Sequence, residues 1–214
     1  AADLVPQIVP LAKAFERGNA TVRLHVALLA PRIEDAAMTK VLIDGSTDPS
    51  EMVRLAAVNG LAHRAGENVV EALVARLMDP SVEVRLAAVG ALGTASSDSA
   101  FEGLLRALPE AAPRLRDRIA DSLAEGGRAY LFARIEELLS SPDVNVQLGV
   151  AWTLGKLQTP DAVPYLARQL RSEDAKLRAS AAGALARIPD PASIAALLEA
   201  SGDVDTRARA AVTN

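Results

Sequence analysis

Two segments, DPSEMVRLAAVNGLA from Asp48 and DPSVEVRLAAVGALG from Asp79, are nearly the same sequence and begin 31 residues apart. Self-similarity at such a period constrains a fold more than any other feature, because it demands one supersecondary unit stacked on copies of itself. Steps of 31 from Arg85 reach Arg23, Arg54, Arg116, Gln147, Arg178 and Arg209, so six of the seven positions are Arg. The residue before them is always apolar: Val22, Val53, Val84, Leu115, Val146, Leu177 and Ala208. Twelve positions before the Arg column stand Leu11, Leu42, Leu73, Leu104, Ile135, Leu166 and Leu197. Seven positions after it come Ala30, Leu61, Leu92, Leu123, Leu154 and Leu185. No insertion breaks the register, and the units run 1–31, 32–62, 63–93, 94–124, 125–155, 156–186 and 187–214.

Each unit reads as two helices. Val70, Leu73, Val74 and Leu77 show the i, i+3, i+4, i+7 spacing of one apolar face on a first helix over Asn68–Met78. A turn such as Asp-Pro-Ser or Ser-Pro-Asp follows. Residues suited to N-capping come next: Asn19, Ser50, Ser81, Asp143, Asp174 and Asp205, with only Ala112 breaking the set. The second helix then runs from about Val82 to Leu92, with Val84, Ala87, Ala88, Ala91 and Leu92 on a shared face. Gly93 and Gly155 read as its terminators. Composition agrees, since the chain holds 43 Ala and 29 Leu but only 3% aromatic residues. Small aliphatic side chains suit helices at close range and argue against a β-sandwich. A lone pair of short helices cannot bury its apolar stripe, so neighbours must supply the core. The expected fold is all-α, an α-α superhelix (α-solenoid) of about seven helix pairs forming a single domain over 1–214.

Several functions are argued against by the same residues. With no Cys, thiolate metal sites, disulfides and Cys nucleophiles are ruled out. A net charge of −4 argues against nucleic acid or an anionic membrane as partner. No apolar stretch approaches the ~20 residues of a membrane span, and no export signal opens the chain. The expected location is therefore the cytoplasm. Only two His occur, His25 and His63, too few with their neighbours to complete a zinc or iron site. His25 takes the place of Ala56 and Ala87, a position read as partly buried, and no cofactor is expected.

The pattern Asp-Pro-x-x-x-Val-Arg-x-x-Ala-Ala-x-x-Leu-Gly at Asp79–Gly93 resembles the HEAT repeat, above all its short bacterial form, the phycobilisome-lyase HEAT-like repeat. The resemblance is strongest at Asp48–Leu61, Asp79–Gly93 and Glu173–Ala186 and extends over essentially the whole chain. It implies second helices lining a concave groove, and a protein or peptide partner. Bilin-lyase enzymes are the alternative the family invites, but a chromophore groove implies several aromatics, and this chain has one Trp. The His-Glu pairs of HEAT-like deoxyhypusine hydroxylases are absent, and the net charge argues against the basic groove that a likeness to HEAT-like DNA glycosylases would imply.

Candidate residues fall into two groups. The recurring Arg, preceded six positions earlier by Asp48, Asp79, Glu110 and Asp203, reads as a structural ladder of Arg23, Arg54, Arg85, Arg116, Arg178 and Arg209 with Asp48 and Asp79. The ladder is expected to tie each turn to the helix that follows it. Opposite the buried Val column lie Leu24, Leu55, Leu86, Asp117 and Leu148, and one turn on Leu28, Asn59, Gly90, Asp121, Trp152 and Gly183. Leu55, Asn59, Leu86, Asp117, Asp121, Leu148 and Trp152 are the candidate partner-binding residues, unless helix tilt buries the leucines between units. The function read from them is non-enzymatic, a scaffold that holds a partner along its groove. The seventh closing Leu is expected beyond Asn214, which reads as a fragment of a longer chain; the alternative function is then a regulatory or spacer domain of a larger multidomain protein.

Overall fold

A computed structural model of the chain describes residues 7–200, and every regular element among them is a helix. The chain divides into two compact units, Ala1–Gly103 and Leu104–Asn214. Unit one holds the pairs α1 (Ile8–Arg17) with α2 (Ala20–Leu29), α3 (Ala36–Gly45) with α4 (Glu51–Leu61), and α5 (Glu67–Ala75) with α6 (Val82–Ala95). It ends inside α7 (Asp98–Ala107). Within it the second helices pack in sequence, α2 on α4 and α4 on α6, while α3 packs on both α1 and α5.

Unit two holds α8 (Pro113–Gly126), the short α9 (Arg128–Ala133) and α10 (Ile135–Leu139), α11 (Val144–Leu157), α12 (Val163–Gln169), α13 (Ala175–Leu185) and α14 (Pro191–Ala200). Here α11 packs against α8 and α13, and α12 against α13 and α14. The first half of the fifth repeat is two helices rather than one. Between them Arg134 stands over the Tyr130 ring and grips Glu137 with both ends of its guanidinium. Asp203, Asp205, Ala208 and Arg209 lie outside the described residues.

The periodic columns are the core. Leu42, Leu73, Leu104 and Leu166 are fully buried, as are Leu61, Leu92, Leu123, Leu154 and Leu185. Val53, Val84, Leu115, Val146 and Leu177 are buried too, but Val22 in the same column is 38% exposed. Among the described residues α1 is the sole helix before α2, so no second helix of an earlier repeat packs on this face. His25, on the same helix, is likewise exposed rather than partly buried.

Capping follows the expected residues with two corrections. Asn19, Ser81, Asp143 and Asp174 accept from backbone N–H groups of the first turn of their helices. Ser50 does not; its own N–H donates to Asp48 Oδ1 instead, 2.8 Å away. Gly93 and Gly155 do not terminate their helices. Both lie inside them, and the ends are made by Ser96 (φ 47°) and Gln158 (φ 51°), left-handed without glycine. Gly155 is needed for contact, since a Cβ there would stand 2.8 Å from the Ala184 backbone.

Two other glycines make a paired prediction. In a helix interior Gly→Ala normally gains about 0.5–1 kcal/mol. A Cβ on Gly183 meets nothing within 4 Å, so Gly183→Ala is expected to stabilise by that amount. A Cβ on Gly149 would run into the Leu105 carbonyl, and backbone cannot swing aside. Gly149→Ala is therefore expected to cost about 1–3 kcal/mol net. Urea titrations of both variants check the opposite signs.

Two members of the Arg column, Arg23 and Arg54, tie one repeat to the next. Arg54 Nε and Nη2 donate to the two Asp79 oxygens at 2.9 and 3.0 Å, and Arg23 does the same to Asp48 at 2.6 and 3.1 Å. Each carboxylate thus serves the Arg of the preceding repeat, not its own as the spacing predicted. The Arg of the same repeat takes backbone carbonyls: Arg54 donates to Asp48 and Pro49, Arg85 to Asp79 and Pro80, Arg178 to Ser172 and Glu173. Gln147 keeps one such bond, to the Ser141 carbonyl at 2.7 Å. Burial works to raise the Asp79 carboxyl. The Arg54 hydrogen bonds, the Ser81 N–H and the Arg54 and Arg76 charges outweigh it and hold the group below its ordinary value.

Candidate functional site

One side of each second helix stays open. At about 100° per residue, the buried columns cover more than half of the circumference, leaving an arc centred on the residue five after the Arg column. In unit one this arc carries Leu24, Leu55 and Leu86, all half-buried, together with exposed Asn59 and Leu28, the last 55% exposed. In unit two it carries exposed Asp117 and half-buried Asp121, Leu148 and Trp152. The leucines are thus neither core nor free, and Leu55, Asn59 and Leu86 belong to a different unit from Trp152.

Trp152 is the best-defined feature of the open arc. Two guanidiniums stand over its ring: Arg116 from α8 at 4.8 Å from the centroid, and Arg187 just beyond α13 at 5.0 Å. Arg116 is anchored by its own donations to the Pro109 and Ala111 carbonyls. Asp121 does not stand free, since Lys156 Nζ lies 3.0 Å from its Oδ1. Lys156 is itself one helical turn from Trp152 on α11. The site therefore joins Trp152, Asp121 and Leu148 of the expected set with Arg116, Lys156 and Arg187.

Arg116 was expected only as a ladder residue, and Lys156 and Arg187 were not among the candidate site residues. The signal available for the cluster was positional. Arg187 falls nine after the Arg column, in the same arc as Trp152, but its spacing does not reveal that it folds back over the indole. On the first-helix side of unit two, Arg128, Phe132, Asp161 and Tyr165 line a separate shallow hollow, with Arg128 over the Phe132 ring at 5.4 Å.

Among the described residues no group of three or more His, Cys, Asp or Glu is placed to hold a metal ion. No helix among them is long and apolar enough to cross a membrane.

Trp152→Ala removes both guanidinium contacts. At about 0.5–1 kcal/mol each, the expected loss of stability is about 1–2 kcal/mol, leaving the fold intact. Far-UV circular dichroism during chemical denaturation measures it.

The family model for HEAT repeats matches residues 39–124 and 132–214. The chain belongs to the HEAT repeat family. Among solved structures, this HEAT repeat chain is similar to the complex of CpcE and CpcF of phycocyanin lyase from Nostoc sp. PCC7120. There the identity is 20%, the match covers 96% of this chain and 92% of that one, and the TM-score is 0.50. It is also similar to human deoxyhypusine hydroxylase in complex with glycerol, at 24% identity, 96% and 82% coverage and a TM-score of 0.42. At such identities the likeness is one of fold. No match was found among curated proteins. In this HEAT repeat protein Arg23 and Arg54 are taken up by ties between repeats, while the open arc of unit two holds the Trp152 cluster.

Proposed function

We propose that this chain is a non-enzymatic scaffold that binds a segment of a partner protein across the open arc of its second helices, with Trp152 as the principal anchor. The observation that carries the reading is the placement of the chain's one tryptophan at the centre of that arc, held in one orientation by Arg116 and Arg187. An aromatic whose position is fixed before binding loses little conformational entropy on contact, the common property of interface anchors. Leu148 lies one turn away on α11 and continues the apolar strip, while Asp117 and the Asp121–Lys156 pair supply polar contacts at its edge. Leu55, Leu86 and Asn59 form a second strip in unit one.

Selection from a displayed library of random peptides tests the reading. Enriched peptides are expected to bind the purified chain and to lose about tenfold or more in affinity to Trp152→Ala, the usual scale of a hot-spot residue. Peptides that bind wild type and Trp152→Ala equally well would overturn it.

A further inference from the structure

The charge along the open arc is uneven. The second helix of the fourth repeat balances Arg114, Arg116 and Arg118 against Asp117, Asp121 and Glu125. Those of repeats five and six carry no acid at all between Val144 and Leu157 or between Ala175 and Arg187, yet hold Lys156, Lys176, Arg178 and Arg187. The neighbouring acids Asp143 and Asp174 are N-caps, occupied by backbone N–H groups of α11 and α13. In a chain of net charge −4 this is a local reversal of sign.

Geometry sharpens it. Trp152 and Gly183 occupy the same column on α11 and α13, which pack directly, and Lys156 and Arg187 stand four residues after each. In that column on α13 the place of a side chain is open, since nothing lies within 4 Å of a Cβ built on Gly183. Arg187, four residues after Gly183, has its guanidinium stacked on Trp152, and no carboxylate among the described residues pairs with it. A guanidinium held flat against an aromatic face keeps its N–H edge available for bidentate contact with a carboxylate.

We infer that the segment bound at repeats five and six is an acidic peptide, with a Glu or Asp seated over Gly183 against Arg187 and Lys156. The inference rests on the scaffold reading above and names the partner's chemistry. Nucleic acid fits less well, because Asp121 and Asp117 border the patch and a single aromatic offers no series of stacking platforms.

The test uses fluorescein-labelled peptides of about twelve residues, rich in Glu, Lys or neutral Ser and Gly, and a single-stranded oligonucleotide of matched length, titrated by anisotropy. The Glu-rich peptide is expected to bind about tenfold more tightly than the others and to weaken as salt rises. Gly183→Glu is expected to weaken it about tenfold and Gly183→Lys to tighten it, with neither lowering the melting temperature. Preference for the neutral peptide, the Lys-rich peptide or the oligonucleotide would overturn the acidic assignment. If that preferred probe were still lost in Trp152→Ala, the scaffold reading would survive. Binding of any probe that ignores both Trp152→Ala and Gly183→Glu overturns both, and no binding up to about 1 mM overturns the acidic assignment.

Discussion

Asp79→Ala is expected to destabilise unit one by about 3–5 kcal/mol, because it strands a buried guanidinium without its counter-charge. Asp79 is 3% exposed and Arg54 9%. The carboxylate accepts both Arg54 donors and the Ser81 N–H, and Arg76 Nη1 stands 3.7 Å away. Losing it leaves Arg54 with only its two carbonyl acceptors, Asp48 and Pro49. Replacing Arg54 and Asp79 together by Leu should recover much of the loss, since a buried pair is worth little against well-packed apolar side chains. Urea denaturation of the three variants against wild type measures the effect.

The same carboxylates set a pH dependence. Asp48 and Asp79 are both held below the ordinary Asp value, so each binds its proton more weakly in the folded chain than in the unfolded one. Their contribution to stability is full above the unfolded value of about 4 and is lost as pH falls through the lowered folded value. The urea midpoint of the wild type should therefore drop on acidification from pH 5 to pH 3. In Asp79→Asn that drop should be smaller. Equal slopes would mean that Asp79 is not paired in solution.

Leu92→Ala is the second large effect, expected at about 2–5 kcal/mol. Leu92 is fully buried on α6, in the column seven after the ladder Arg, where Leu61, Leu123, Leu154 and Leu185 are buried as well. The cost exceeds simple transfer of a side chain from water, since α5 and α6 are held by their own packing and cannot collapse fully into the void. A loss below about 0.5 kcal/mol would mean that this column faces outward, and the assignment of every second-helix face would fall with it.

Much of this was legible in the sequence because the burial of a repeat is itself periodic. The columns of Leu42, Val53 and Leu61 each recur, and one recurrence states which face is inside. Direction between repeats was not legible. A spacing of six suggests that Asp79 serves Arg85, yet Asp79 pairs with Arg54, because the side chain of an Arg spans the gap to the next turn while its own turn offers carbonyls. Helix ends were misjudged for a related reason. Gly93 and Gly155 resemble terminators, yet in helices packed this closely glycine is also what close contact requires, as Gly155 against Ala184 illustrates. The site was legible in part. Its column followed from helical geometry, so Trp152, Leu148 and Asp121 were found, whereas Arg116 and Arg187 were not, because long side chains travel far from the positions that name them.

Arg23 and Arg54 tie repeats together, while the open arc is the surface proposed to meet the partner. Since Trp152 is the chain's one tryptophan, its emission reports that arc alone. Titration with the Glu-rich peptide, followed in parallel by calorimetry, is the most direct test. The account predicts a saturable change in Trp152 emission with the same midpoint as the heat of binding; heat without any change in emission would place the partner elsewhere on the chain and contradict it.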